Sequence, residues 1–168
     1  HKENDKWKYY SPKKMSIYGR TFVEGEKVTG WLPINDKWYY IAEDGYMVTG
    51  IYKVGNRKYL FMEDGSMKTG WFKVDGTWYY ISPDGELRAQ WVKSLSNWYY
   101  VDVDGKMVTG YQTINGAKYY FASSGLMQKG WFKINGEDYY AASSGTIQAQ
   151  WVKSGRNWYY VDTDGKMV

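Results

Sequence analysis

Aromatic rings are the side chains of this sequence best placed to do chemistry. Trp91 is followed seven residues later by Trp98-Tyr99-Tyr100, then by Asp104-Gly105, Met107 and Thr109-Gly110. This order recurs every twenty residues from Trp31 onward, and nine of the ten Trp fall at the first or eighth place of a block. Rings in such numbers offer flat π-faces and apolar surface. They can pack a small core, or stack single-stranded nucleic acid where basic residues are interleaved. No RNA-binding motif accompanies them, so nucleic acid is not expected as a partner.

Catalytic chemistry has little to draw on. The single histidine is His1 and cysteine is absent, which removes disulfides, thiolate metal sites and most nucleophile–base pairs. Asp102-Val-Asp104-Gly105 and Asp162-Thr-Asp164-Gly165 echo the start of a calcium loop, but the later ligands and terminal Glu are missing, and turn chemistry explains them. Other carboxylates also recur in turns, with no distinctive pair of the glycosidase kind. The expectation is a non-enzyme with no catalytic residue, metal or cofactor.

The elements that must position the rings are β-hairpins. The blocks are 31–50, 51–70, 71–90, 91–110, 111–130, 131–150 and 151–168, with Gly at the fifteenth place of each. Asp75-Gly76, Asn115-Gly116 and Asn135-Gly136 stand between β-prone runs, the strongest short hairpin signal. Leu95-Ser96 and Gly155-Arg156 lack that dipeptide. Alternation puts Trp71, Lys73, Trp78 and Tyr80 on one face, and Phe72, Val74, Tyr79 and Ile81 on the other, the natural core. A face rich in rings that is not the core needs another explanation. Lone hairpins of this size do not stand in water, so the expected fold is all-β, a solenoid of stacked hairpins. Blocks sixty residues apart match best, which predicts about three hairpins per superhelical turn.

Residues 1–30 are expected to be an atypical N-terminal capping repeat. Trp7-Lys8-Tyr9-Tyr10 resembles the triplet out of register, Glu24-Gly25 to Thr29-Gly30 resembles a repeat end, and Ser11 to Arg20 reads as an insertion or a degenerate unit. No apolar run approaches membrane-spanning length. The chain opens on His1 without Met, as a mature or excised segment would. The net charge of +4 mildly favours polyanions, although lysines recur once per repeat, as solvated strand edges would have them.

Trp, then Trp-Tyr-Tyr seven residues on, then Asp-Gly-x-Met-x-Thr-Gly, resembles the choline-binding repeat of Gram-positive surface proteins, over 31–168 well and over 1–30 poorly. Glucan-binding repeats of glucansucrases and repeats of clostridial toxins share the aromatic-Gly pattern. The resemblance implies that choline or phosphocholine is held between consecutive hairpins, on teichoic or lipoteichoic acid. It also implies a secreted module attached non-covalently to the cell wall, with a hydrolase or adhesin as the larger protein. A glucan- or glycan-binding array and a structural spacer are the alternatives, and a homodimer is compatible with the pattern. A trimethylammonium group cannot donate a hydrogen bond, so rings and apolar walls suit it.

By the family pattern, a cage takes two Trp and the Met of one repeat plus the second Tyr of the next triplet. That gives Trp91, Trp98, Met107 and Tyr120 as a complete cage, and Trp71, Trp78, Leu87 and Tyr100 as a second. Weaker cages combine Trp31, Trp38 and Met47 with Leu60, and Trp131 and Tyr160 with Asp138 and Ile147. Lys58 and Lys118 stand where the inner Trp belongs, which marks blocks 51–70 and 111–130 as spacers. Trp151, Trp158 and Met167 lack a following hairpin.

Overall fold

A computed structural model describes residues 2–3, 6–17 and 19–168, with side chains described from Trp7 onward except at residue 18. Among the described residues all regular structure is strand, bridge or turn, and every strand belongs to a two-stranded antiparallel sheet. The chain forms two compact units, His1–Trp71 with Ile81–Arg88, and Phe72–Tyr80 with Ala89–Val168.

The first unit contains β1 (Lys2–Glu3) with β2 (Lys6–Trp7), and β3 (Met15–Ile17) with β4 (Arg20–Phe22). They are followed by β5 (Gly30–Ile34) with β6 (Lys37–Ile41), and β7 (Gly50–Val54) with β8 (Arg57–Phe61). The division between units runs through the pair β9 (Gly70–Val74) and β10 (Thr77–Ile81). The second unit continues with β11 (Gln90–Ser94) and β12 (Asn97–Val101), then β13 (Gly110–Ile114) and β14 (Ala117–Phe121). It ends with β15 (Gly130–Ile134) and β16 (Glu137–Ala141), then β17 (Gln150–Ser154) and β18 (Asn157–Val161).

The turns follow from φ. Asp75-Gly76, Asn115-Gly116 and Asn135-Gly136 have positive φ at both residues, as do Asn35 (48°) and Asp36 (61°). This is the type I′ geometry whose twist matches the flanking strands. Leu95 is different. It takes φ of 55° at a place that Gly55 and Gly155 fill elsewhere, and it is 93% exposed, so no contact compensates the crowding of its Cβ.

The core is carried by the eleventh place of each block. Ile41, Phe61, Ile81, Val101, Phe121, Ala141 and Val161 are all buried. The opposite face is partly covered at the Trp31 and Trp91 hairpins. Trp31 packs with Tyr40 against the cluster of Val48 from its own block and Tyr59 and Phe61 from the next hairpin. Trp91, Trp98 and Tyr100 do the same against Ile114, Phe121 and Met127. Within each unit, the ring-rich faces of these two hairpins are therefore partly covered by the core-side face of the hairpin that follows, which shields rings that a lone hairpin would leave in water.

The N-terminal region is a repeat with an insertion in its turn. Val28 N donates to Tyr9 O, as Val48 N does to Tyr40 O, and Ser11 N donates to Glu26 O, as Ala42 N does to Tyr46 O. Each bond spans eleven more residues than its counterpart. The excess lies between Ser11 and Gly25, whose backbone groups still close the turn at 2.8 Å. The insertion carries the hairpin β3–β4, and Phe22 from it is buried with Val28, Leu32 and Ile41.

Candidate functional site

The site is built by a ladder between consecutive hairpins. Met67 N donates to Trp38 O (2.6 Å), Met127 N to Trp98 O (2.9 Å) and Met167 N to Asp138 O (2.9 Å). The residue at the seventeenth place of a block is thus pinned to the eighth place of the block before it. Its side chain then lies over the fifteenth place of the block after it. A Cβ at Gly85 would stand 2.3 Å from Met67 Sδ, and one at Gly125 would stand 2.2 Å from Met107 Sδ. Glycine is needed there for this approach as well as for the turn's positive φ (80° at Gly85).

In the first unit these elements enclose a cavity of about 250 Å³ lined by Trp31, Trp38, Tyr59, Met67, Pro83 and Asp84. Trp31 and Trp38 meet at 85° with centroids 6.3 Å apart, and Tyr59 stands edge-on to Trp31 at 4.8 Å. Two walls meet at a right angle, a third ring and a thioether close the slot, and a carboxylate comes from a third consecutive block. Burial works against the charge on Asp84, but hydrogen bonds from Ser82 Oγ (2.7 Å), Arg88 and Glu86 N outweigh it and hold the carboxyl down at about 2. Asp84 is ionised at neutral pH.

The second unit repeats the arrangement around Trp91. Trp98 stands at 6.3 Å and 87°, and Tyr119 at 4.9 Å and 70°. Met127 is pinned behind Trp98. Around Trp131, a cavity of about 370 Å³ is lined by Asp138, Ser154, Tyr159 and Met167, with Tyr159 edge-on to Trp131 at 5.6 Å. Asp138 is engaged by Lys133 Nζ at 2.7 Å. A further cavity of about 330 Å³, lined by Trp7, Tyr39, Met47 and Asp64 among others, follows the same register through the first repeat.

The structure brings the expected Trp pairs 31/38 and 91/98 together but gives them different partners. Tyr120 does not join Trp91: it lies against Tyr111 of its own hairpin (4.9 Å) and stacks on Phe132 of the next (5.4 Å). Tyr100 packs on its own Trp91 at 5.2 Å, and Tyr160 on its own Trp151 at 5.3 Å. The reason is strand alternation. The tenth place pairs with the first, as in Trp91↔Tyr100, and shares its face, so of the two tyrosines it is the ninth-place one that faces back to the preceding hairpin. Tyr59, not Leu60, accordingly completes the Trp31 site.

The apolar walls move by one repeat. Met47 N donates to Trp7 O, Met107 N to Trp78 O, Leu87 N to Lys58 O and Ile147 N to Lys118 O. Met47, Met107, Leu87 and Ile147 therefore serve the hairpin before their own, and Met67, Met127 and Met167 are the walls for Trp31, Trp91 and Trp131. Trp71 and Leu87 belong to the first unit, while Trp78 and Tyr100 belong to the second.

The repeats match those of known proteins. The sequence profile of the choline-binding repeat matches residues 28–60, 48–90 and 108–150, and that of a putative cell wall binding repeat matches 90–107 and 150–167. The chain belongs to the choline-binding repeat family. Among solved structures, CbpJ from Streptococcus pneumoniae TIGR4 is similar at 34% identity and a TM-score of 0.82, over 99% of this chain and 56% of that one. Choline binding protein F from Streptococcus pneumoniae, solved in the presence of a peptidoglycan analogue, has the same identity and TM-score over 100% of this chain and 56% of its own. The same protein in complex with ipratropium shares 32% identity at a TM-score of 0.79, over 99% and 57%. This array of choline-binding repeats thus spans little more than half the length of these relatives. No curated protein matches it.

Proposed function

We propose that this array binds choline head groups on teichoic or lipoteichoic acid, and thereby holds a larger secreted protein, a cell-wall hydrolase or an adhesin, on the cell surface without a covalent bond. The observation that carries this reading is the junction of Trp31, Trp38, Tyr59 and Met67 with the Asp84 carboxylate at its edge. A right-angled pair of π-faces fits a compact, rounded cation better than a flat sugar ring, which stacks on one open face. The trimethylammonium group presents partial positive charge on every methyl and asks for no hydrogen bond. Each ring contributes about 0.5–1 kcal/mol where exposed and about 2 where desolvated, which puts one site on the order of millimolar. Several such sites engaging one polymer gain roughly a hundredfold through effective concentration. The module performs no chemistry of its own in this reading, and the N-terminal repeat with its inserted hairpin serves as a cap.

The test is chromatography on a resin bearing a choline-like tertiary amine. The chain is expected to be retained in salt and released by free choline. Passage through the resin, or retention that choline does not reverse, would refute the reading.

A further inference from the structure

Block 111–130 places Tyr111 and Lys118 where other junctions have their two Trp, and the ladder continues unbroken, with Ile147 N donating to Lys118 O at 2.8 Å. Lys118 extends its ammonium to Asp164 Oδ1 at 2.6 Å and Thr163 O at 3.2 Å, 6.0 Å from the centroid of the Tyr111 ring. Tyr111 donates its hydroxyl to Asp164 O at 2.8 Å. Asp164 stands 46 residues beyond Lys118, the same separation as Asp84 from Trp38 in the Trp31 junction, so the two carboxylates hold equivalent places. Burial first, then the nearness of Tyr139 and Asp164, pushes the Tyr111 hydroxyl up to about 12, so it remains a donor throughout the neutral range.

We infer that Lys118 is a specificity-determining residue: its ammonium is a cation belonging to the chain that occupies this junction's cation position, excludes choline from it, and tethers β13–β14 to the turn after β18. A π-face, a carboxylate and a backbone carbonyl together satisfy a primary ammonium, which needs hydrogen-bond acceptors that a quaternary one does not use. The junction therefore keeps the architecture of a ligand site and spends it on the protein's own side chain. This inference rests on the choline reading of the Trp junctions.

Two measurements decide it. Lys118→Trp leaves Asp164 without its ammonium partner beside three rings, and isothermal titration with choline should give one more equivalent bound than the wild-type chain. A folded K118W chain with unchanged stoichiometry overturns the exclusion. The tether is read without ligand, from thermal midpoints of K118M, D164N and the double variant. Each single change should lower the midpoint, and the pair should lower it no further than the larger single effect. Additive losses overturn the tether, and this cycle decides it even if K118W does not fold. A wild-type chain that binds no choline refutes the proposed function, while the cycle still judges the Lys118–Asp164 pairing.

Discussion

The Trp31 and Tyr111 junctions share one backbone plan and differ in what fills it. In both, the seventeenth place of the next block is pinned to the eighth place of the first, at 2.6 Å for Met67 on Trp38 and 2.8 Å for Ile147 on Lys118. In both, an aspartate arrives from two blocks on. With tryptophan at the eighth place, the rings leave an apolar slot beside a carboxylate. With lysine there, an ammonium from the eighth place reaches the carboxylate across the junction, whereas Asp84 is paired by Arg88 from its own turn at 2.9 Å. On the proposed choline reading, the stacking of hairpins and the selection of a ligand are separable. Stacking depends on the ladder, on buried residues at the eleventh place and on glycine at the fifteenth, while on that reading selection rests on the side chains that differ, Tyr111 for Trp31, Ile147 for Met67 and above all the one at the eighth place.

The most direct way to break the comparison is to remove that side chain. Trp38→Ala should abolish measurable choline binding at its junction, a loss of about 2 kcal/mol or roughly thirtyfold, whereas Leu60→Ala should leave binding unchanged and Tyr59→Ala should weaken it. Titration calorimetry on the three variants checks the register, and an equal loss from Leu60 and Tyr59 would contradict the structure.

A smaller effect separates scaffold from site. Leu95→Gly relieves a left-handed residue that costs about 1 kcal/mol, in a turn remote from the rings of its own hairpin's far end. The thermal midpoint should rise while the choline titration stays superimposable. A shift in choline affinity would mean that stacking and selection are coupled.

The smallest effect concerns the charge beside the slot. Asp84 is partly exposed, so Asp84→Asn should weaken choline binding only by about 0.5 kcal/mol, and less at high salt. Because its folded pKa is depressed, to about 2, its stabilising charge is complete above the ordinary carboxylate range and is lost as pH falls through that value. Wild-type affinity at this junction should be level from pH 7 to pH 4 and decline below it, and the decline should disappear in D84N.

Much of the fold was legible because its determinants are local. Asp75-Gly76 and its equivalents select the turn, Gly85 and its equivalents permit both the turn and the close approach of a Met, and alternation assigns Ile81 to the core. The Trp pairs were legible for the same reason, since the first and eighth places of one hairpin share a face. Their partners were not. Tyr119 and Tyr120 are both ring residues one place apart, and choosing between them requires knowing which face of a hairpin meets its predecessor. Met107 lies beyond the turn of its own block, and nothing in the spacing of a single block says that it folds back onto Trp78 and not Trp98. The triplet at Trp7 was legible but out of register, and the length of the insertion that displaces it is visible only when backbone bonds such as Val28–Tyr9 are matched to Val48–Tyr40. Leu95 broke the turn rule, and the strands on either side imposed the geometry regardless.

The Trp31 junction draws on three successive blocks, with Trp31 and Trp38 from one, Tyr59 and Met67 from the next, and Pro83 and Asp84 from the one after. Each block is consequently spelled into three overlapping words. Excising or duplicating a single twenty-residue block would rewrite every word that crosses the seam, even with no point substitution anywhere. Ligand preference in such an array is inherited as the order of its blocks as much as through their composition, and recombination between similar blocks can create or erase sites in one step.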